Sequence, residues 1–193
     1  MSTWHWVRHG PTHAKSFVGW RDVPADLSDA AQIDRLKAHL PNDAVVVSSD
    51  LSRAFATADA LSGETHLRLP HDPHLREMHF GIWDGMHFDA VAARDPELSR
   101  TFWENPGEIS APAGESWNTA SARVEAAVRR ISARHPQRHI IALAPFGVIL
   151  THLQLALGVS SYEKLSHRID NFSVTQSECH ADGANVPLIN HLP

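Results

Sequence analysis

Residues 3–12 read Thr3-Trp4-His5-Trp6-Val7-Arg8-His9-Gly10-Pro11-Thr12. Thr3 to Val7 is short, largely apolar and rich in aromatic and β-branched side chains, which predicts a strand. Gly10-Pro11 supplies the break that ends it. With a strand this close to residue 1, no secretory leader is expected before it. Its last turn-forming residues carry Arg8 and His9, so a basic pair stands at a carboxyl strand end. In open α/β sheets that edge is where ligands bind.

Working outward from this strand, the apolar pattern alternates between strand-like and helix-like periods. Leu27 to Leu40 predicts a helix with Ser28 or Asp29 as cap, Ile33, Leu36 and Leu40 on one face, and Pro41 as stop. Ala44 to Val47 is a continuous apolar run that fits a strand covered on both faces. Leu51 to Ser62 follows as a helix with Asp50 as expected cap and Leu51, Ala54, Phe55, Ala58 and Leu61 as its stripe. Thr65 to Leu69 is a third strand candidate, closed by Pro70. Residues 70–114, rich in proline and glycine, read as loops with short helices between them. So long an interruption usually forms or covers a site, and we expect it to act as a lid.

Order returns with a helix from Glu115 to Arg134, a strand from His139 to Ala144, and a helix from Gly147 to Leu157 ended by Gly158. Phe172 to Ser177 and Asn185 to Ile189 predict two last strands, with a turn at Asp182-Gly183. No repeat or linker divides the chain, so the expectation is one domain over residues 1–193. Strand–helix alternation predicts a three-layer α/β/α sandwich around a mainly parallel sheet.

The bulk numbers narrow the function classes. The chain has 193 residues, 42% hydrophobic and 20% charged, with a formal charge of −5. An acidic balance argues against nucleic-acid binding through a general basic surface. No apolar run reaches membrane-spanning length. One cysteine, Cys179, forms no internal disulfide, and a cytoplasmic enzyme is the expectation. Fifteen histidines raise a metal protein as a rival. Its nearest ligand pairs are His71 with His74 in a proline-bearing loop, and His135 with His139 across Pro136. Neither has a cysteine partner or an uninterrupted helix, so no metal is expected.

The second strand ends in Ser48-Ser49-Asp50 and runs into Leu51-Ser52-Arg53-Ala54. Arg53 falls off its helix's apolar stripe. If the first two strands are neighbours, Arg8, His9 and Arg53 share one edge. A guanidinium fork suits phosphate oxygens, backbone amides after Gly10 add donors, and a neutral imidazole can attack phosphorus. By itself, Arg-His-Gly is equally compatible with a solvated loop.

The rest of the chain is what extends the pattern. Arg8-His9-Gly10-Pro11-Thr12 resembles the signature of the histidine phosphatase (phosphoglycerate mutase-like) superfamily. Gly19-Trp20-Arg21-Asp22-Val23-Pro24 with Leu27-Ser28 is similar to the segment that follows it in that family. Ser49-Asp50-Leu51-Ser52-Arg53-Ala54 with Thr57-Ala58 resembles the second arginine motif, and Leu75-Arg76-Glu77-Met78 with Phe80-Gly81-Ile82-Trp83-Asp84-Gly85 the acid loop. Gly114-Glu115-Ser116 and Gly147, each opening a helix, continue the order, so the likeness spans residues 3 to 160. It implies His9 as nucleophile, Arg8 and Arg53 as phosphate ligands, and Glu77 as the acid that protonates the leaving oxygen and later deprotonates water. It implies a small phosphorylated metabolite as substrate, α-ribazole phosphate being one family-level option, and no cofactor. The oligomeric state stays unread.

Two positions depart from the pattern. Family members carry a second histidine after the late strand; with Gly147-Val148-Ile149 in register, Pro145 takes its place. His152 lies two helical turns further on and cannot take over. The alternatives are a phosphatase of reduced activity and a phosphate-ester binder without useful turnover. A phosphoglycerate-type mutase is less favoured, because the chain is short for one. Lys15 stands where relatives often carry asparagine, and either adds charge to the phosphate pocket or points to solvent.

Overall fold

The computed structural model describes residues 2–158, 167–180 and 183–193. Its strands are β1 (Ser2–Arg8), β2 (Ala44–Ser48), β3 (Leu67–Arg68), β4 (His139–Ala144), β5 (Val174–His180) and β6 (Gly183–His191). They form one sheet in the order β3-β2-β4-β1-β5-β6. The first four are parallel, whereas β5 and β6 add antiparallel at one side. The helices are α1 (Ala30–His39), α2 (Ser52–Leu61), α3 (Phe88–Arg94), α4 (Pro96–Glu104), α5 (Trp117–Arg134) and α6 (Phe146–Leu157). Among the described residues no helix is long and apolar enough to cross a membrane.

The near-continuous apolar strands explain the layering. Alternate side chains face opposite ways along a strand. Trp4, Trp6, Val45, Val47, Ile140 and Ala142 therefore pack under α5 and α6, with α3 and α4 joining the same core. Val7, Val46, Ile141 and Leu143 face α1 and α2 on the other side. Trp4 and Trp6 stack at 5.0 Å between ring centres, and Trp4 Nε1 donates to Ser132 Oγ at 3.0 Å, so its one polar atom is satisfied. Truncating either indole to alanine costs ~3–5 kcal/mol. The predicted α/β/α sandwich is the observed architecture.

Five points of the sequence reading are revised. β1 and β2 are not neighbours: β4 lies between them, so its end and Pro145 stand between the ends that carry His9 and Arg53. Asp50 does not cap α2. Its carboxylate takes a forked pair from Arg76, Nε at 2.7 Å and Nη2 at 2.5 Å, while the Ser52 N–H donates to Asp22 Oδ1 at 2.8 Å. A two-pronged ion pair with arginine outcompetes a single cap bond. The strand expected over Thr65–Leu69 is only Leu67–Arg68 long, because it pairs on one side with β2 alone. The last two strands run further than expected, to His180 and His191, and the turn expected at Asp182-Gly183 lies partly outside the described residues. At α1, Asp29 is the cap, accepting from Gln32 N at 3.0 Å, and the helix starts at Ala30 rather than Leu27.

Candidate active site

His9 follows directly on β1 and is held by its backbone and its ring. Its N–H donates to Ala144 O at 3.3 Å, and its carbonyl accepts from Asn171 Nδ2 at 2.7 Å. Ring Nδ1 lies 2.7 Å from Gly10 O. A carbonyl can only accept, so Nδ1 carries the hydrogen and Nε2 keeps its lone pair. Burial, and next the Arg53 guanidinium, lower the His9 pKa to about 3, leaving the ring neutral at pH 7. Gly10 permits this close turn: a Cβ there would lie 2.8 Å from Asp26 O and 2.9 Å from Phe172 Cζ.

Arg53 is fully buried in the first turn of α2. That resolves why it sits off the helix's apolar stripe: its guanidinium is threaded into the loop after β1. Nη1 donates to Arg21 O at 3.1 Å and Nη2 to Gly19 O at 2.7 Å. Thr57, one turn on, ties this helix to the histidine loop. Its hydroxyl donates to Arg53 O at 2.7 Å and accepts from Gly10 N at 3.1 Å. Arg8 donates from Nη1 to Ile169 O at 2.6 Å and lies over the Phe146 ring, 5.4 Å from its centre. Its Nε–H is buried without an acceptor. Buried donors are usually paired, and this one shares its lack of a partner with Trp6 Nε1, Ser52 Oγ and Ser173 Oγ among the described residues. Burial pushes both guanidinium groups below their ordinary value, with the Glu77 carboxylate opposing it.

Glu77 is 7% exposed. Its Oε1 accepts from Met78 N at 2.8 Å and its Oε2 from Gly147 N at 3.1 Å, at the start of α6. Its carbonyl is fixed by Trp20 Nε1 at 2.8 Å and Arg123 Nη2 at 2.9 Å. The Glu77 backbone and carboxylate are thus both tied down, the carboxylate partly by a residue from another element.

Arg8, His9, Arg53 and Glu77 line one cavity of about 300 Å³. Lys15 is exposed and outside that lining. Pro145 is buried at the N-cap position of α6 with φ −73° and no side-chain cap bond, and the next side chain, Phe146, lines the cavity. His152 is buried deeper in α6, bonded to Ser177 Oγ at 2.7 Å, and is not part of the lining. Three of the four histidines weighed as metal ligands have other partners: His71 lies 2.9 Å from Ser48 Oγ, His74 3.1 Å from Asp72, and His139 3.2 Å from His5. Sequence reading missed Thr57 and Asn171 as supports, and Phe88 and Trp103 as cavity walls. The available signal was two bulky aromatic residues within the predominantly loop-like stretch 70–114.

The chain matches the histidine phosphatase superfamily (branch 1) over residues 5–191. A bifunctional protein of Mycobacterium tuberculosis is 34% identical over 174 residues, which is 90% of this chain and 46% of that protein. The chain thus spans about half the length of the first curated relatives it matches. A mycobacterial glucosyl-3-phosphoglycerate phosphatase solved with VO3 superposes with a TM-score of 0.85 at 26% identity, over 97% of this chain and 98% of that one. YhfR of Bacillus stearothermophilus superposes with a TM-score of 0.90 at 24% identity, over 100% and 98%, a likeness of fold.

Proposed function

This chain belongs to the histidine phosphatase superfamily, branch 1, and from that premise we propose that it hydrolyses small phosphomonoesters through a phosphohistidine on His9. The observation that carries the reading is the His9 ring itself. It is neutral, its Nδ1–H is engaged by Gly10 O so that Nε2 carries the lone pair, and the residue lines a cavity shared with two arginines.

In the first transfer, Nε2 attacks phosphorus while the ester P–O bond breaks. The electron pair leaves with the alcohol oxygen, which takes a proton from Glu77. In the second, Glu77 takes a proton from water, the resulting hydroxide bonds to phosphorus, and the P–N pair returns to Nε2 as inorganic phosphate departs. Arg8 and Arg53 neutralise the phosphoryl oxygens throughout; the unpaired Nε–H of Arg8 supports that role. Residues 70–114 serve as the lid, since Phe80, Phe88 and Trp103 from that stretch wall the cavity. The name of the mycobacterial structural relative supports a phosphorylated metabolite as substrate class. Lys15, exposed, contributes charge at the approach rather than a phosphate contact. A metal is not needed for these steps.

We read Pro145 as standing in place of the family's second histidine. Proline offers no side-chain donor and no backbone N–H. Losing one preorganised donor to the phosphoryl group costs on the order of a hundred- to a thousandfold in rate, so turnover is reduced. The same proline favours the second reading, a phosphate-ester binder without useful turnover. A phosphomonoester panel run beside His9→Ala, with EDTA present, decides between them. Hydrolysis abolished by His9→Ala, with acid-labile label trapped on the wild-type chain, is the expected result. Ester binding with no hydrolysis and no trapped label would establish the binder.

A further inference from the structure

Beyond Arg8, His9, Arg53 and Glu77 the cavity lining is mostly apolar, with Thr12 and Ser16 as its uncharged polar side chains. Phe17 from the loop after β1, Phe80, Phe88 of α3, Trp103 of α4 and Phe146 of α6 all line it. Phe17 is the hub, with ring centres at 4.9 Å to Phe80, 4.7 Å to Phe88 and 6.0 Å to Trp103, the last nearly parallel at 20°. Core packing does not account for the outer two. α4 buries Ser99 and Phe102, whereas Trp103 remains 37% and Phe88 53% exposed at the rim. A second depression, of about 440 Å³, shares Phe17, Phe88 and Trp103 and is lined also by Asp89 and Arg100. The rim therefore presents aromatic surface to whatever extends outward from a bound phosphate.

Charge points the same way. Among the described lining residues the cations are Arg8 and Arg53, and the phosphate dianion engages both. His9 is neutral there, Glu77 repels a second anion when ionised, and Lys15 is exposed outside the lining. Within this cavity a carboxylate or second phosphate on the alcohol would meet rings and the uncharged Thr12 and Ser16 instead of a counter-charge, and would lose much of its hydration; Arg100 lines only the second depression, beside Asp89.

We propose that this site selects phosphomonoesters whose alcohol carries a flat aromatic group and no second anion, with Phe88, Trp103 and Phe146 as the specificity-determining residues. The proposal rests on the phosphatase reading above and names its substrate class. Ring-on-ring contact in a partly dehydrated slot is worth roughly three- to tenfold in affinity per pair, and a cavity of about 300 Å³ is in the range that holds a small ligand.

The test compares 2-phenylethyl phosphate, ethyl phosphate and 3-phosphoglycerate. All three release alkyl alcohols, so differences in leaving-group acidity are small beside the effect sought. The expected kcat/KM is at least about tenfold higher for 2-phenylethyl phosphate than for ethyl phosphate, and higher again relative to 3-phosphoglycerate. Trp103→Ala and Phe88→Ala should each lower the phenylethyl-to-ethyl ratio about three- to tenfold, mainly through KM, and Trp103→Phe should largely retain it. Equal or better turnover of ethyl phosphate or 3-phosphoglycerate overturns the proposal, as does an unchanged ratio in both alanine variants. If no ester is hydrolysed at all, the phosphatase reading fails, and calorimetry on the same three esters still decides selectivity. Tightest binding of 2-phenylethyl phosphate upholds it, and equal or weaker binding ends it.

Discussion

Gly147 and Glu77 fill one space between them: the Gly147 N–H donates to Glu77 Oε2 at 3.1 Å, and a Cβ on residue 147 would lie 2.2 Å from Glu77 Oε1. The first turn of α6 is thus shaped to seat this carboxylate. The seat needs glycine for room, since the helix itself would accept alanine readily.

Gly147→Ala should therefore displace Glu77 while leaving α6 intact. With Glu77 as the proton donor, hydrolysis of alkyl phosphates falls by about a hundredfold, within the usual worth of a general acid. Aryl phosphates, whose leaving oxygens need little protonation, lose much less. Steady-state rates on both ester classes check this. Equal losses would mean that the substitution distorts the phosphate site as a whole.

The Thr57 hydroxyl joins the His9 loop to α2 by accepting from Gly10 N and donating to Arg53 O. Thr57→Val leaves the buried Gly10 N–H without an acceptor, at a cost of roughly 1–3 kcal/mol in stability. It should also lower kcat, because the histidine loop loses its tether to the helix that carries Arg53. Thr57→Ser should retain both properties. Urea denaturation and kcat for the pair are the measurements, and identical behaviour of the two variants would remove the hydroxyl from this role.

Pro145 has φ −73° and ψ 169°, a conformation that histidine adopts without strain. Pro145→His should place a donor beside the phosphoryl group and raise kcat by up to roughly a hundred- to a thousandfold. In a His9→Ala background the gain should vanish. A folded Pro145→His protein with unchanged turnover would separate Pro145 from the rate deficit.

Three buried histidines make stability pH-dependent. Burial lowers His9 to about 3 and His5 and His152 to about 4; at His5 the neighbouring His139 and His39 add to the effect. Unfolded, each titrates near 6.5, so between pH 6.5 and about 4 the unfolded chain binds protons that the folded chain does not. Stability therefore falls as pH drops through this window. Toward its middle, each histidine contributes a slope of up to ~1.4 kcal/mol per pH unit. Urea midpoints from pH 7 to 4.5 should decline steadily, and His152→Gln should flatten part of the decline. A constant midpoint over that range would contradict the burial of these rings. His9, the proposed nucleophile, stays neutral across it, so its protonation near pH 6.5 should not appear in the kcat/KM profile.

Much of this molecule is written locally. The apolar run before Arg8-His9-Gly10, the uninterrupted Ala44–Val47 segment and the Gly158 stop at φ +63° each follow from neighbours in the chain. Local periodicity and turn chemistry therefore determined the α/β alternation, and placed His9 and Arg53 at strand ends. The resemblance carried by ordered motifs added Glu77 and the gap at Pro145. Tertiary structure alone decided that β4 separates β1 from β2, because strand order depends on how helices cover both faces of the sheet. It also decided that Asp50 serves Arg76, 26 positions away, instead of its own helix. Gly147 seats Glu77 across 70 positions, and Phe88 and Trp103 line the same cavity as His9. Each of these relationships joins segments remote in sequence, where the outcome is set by which buried charge finds a partner and which ring finds a wall, and no window of neighbouring residues contains that information.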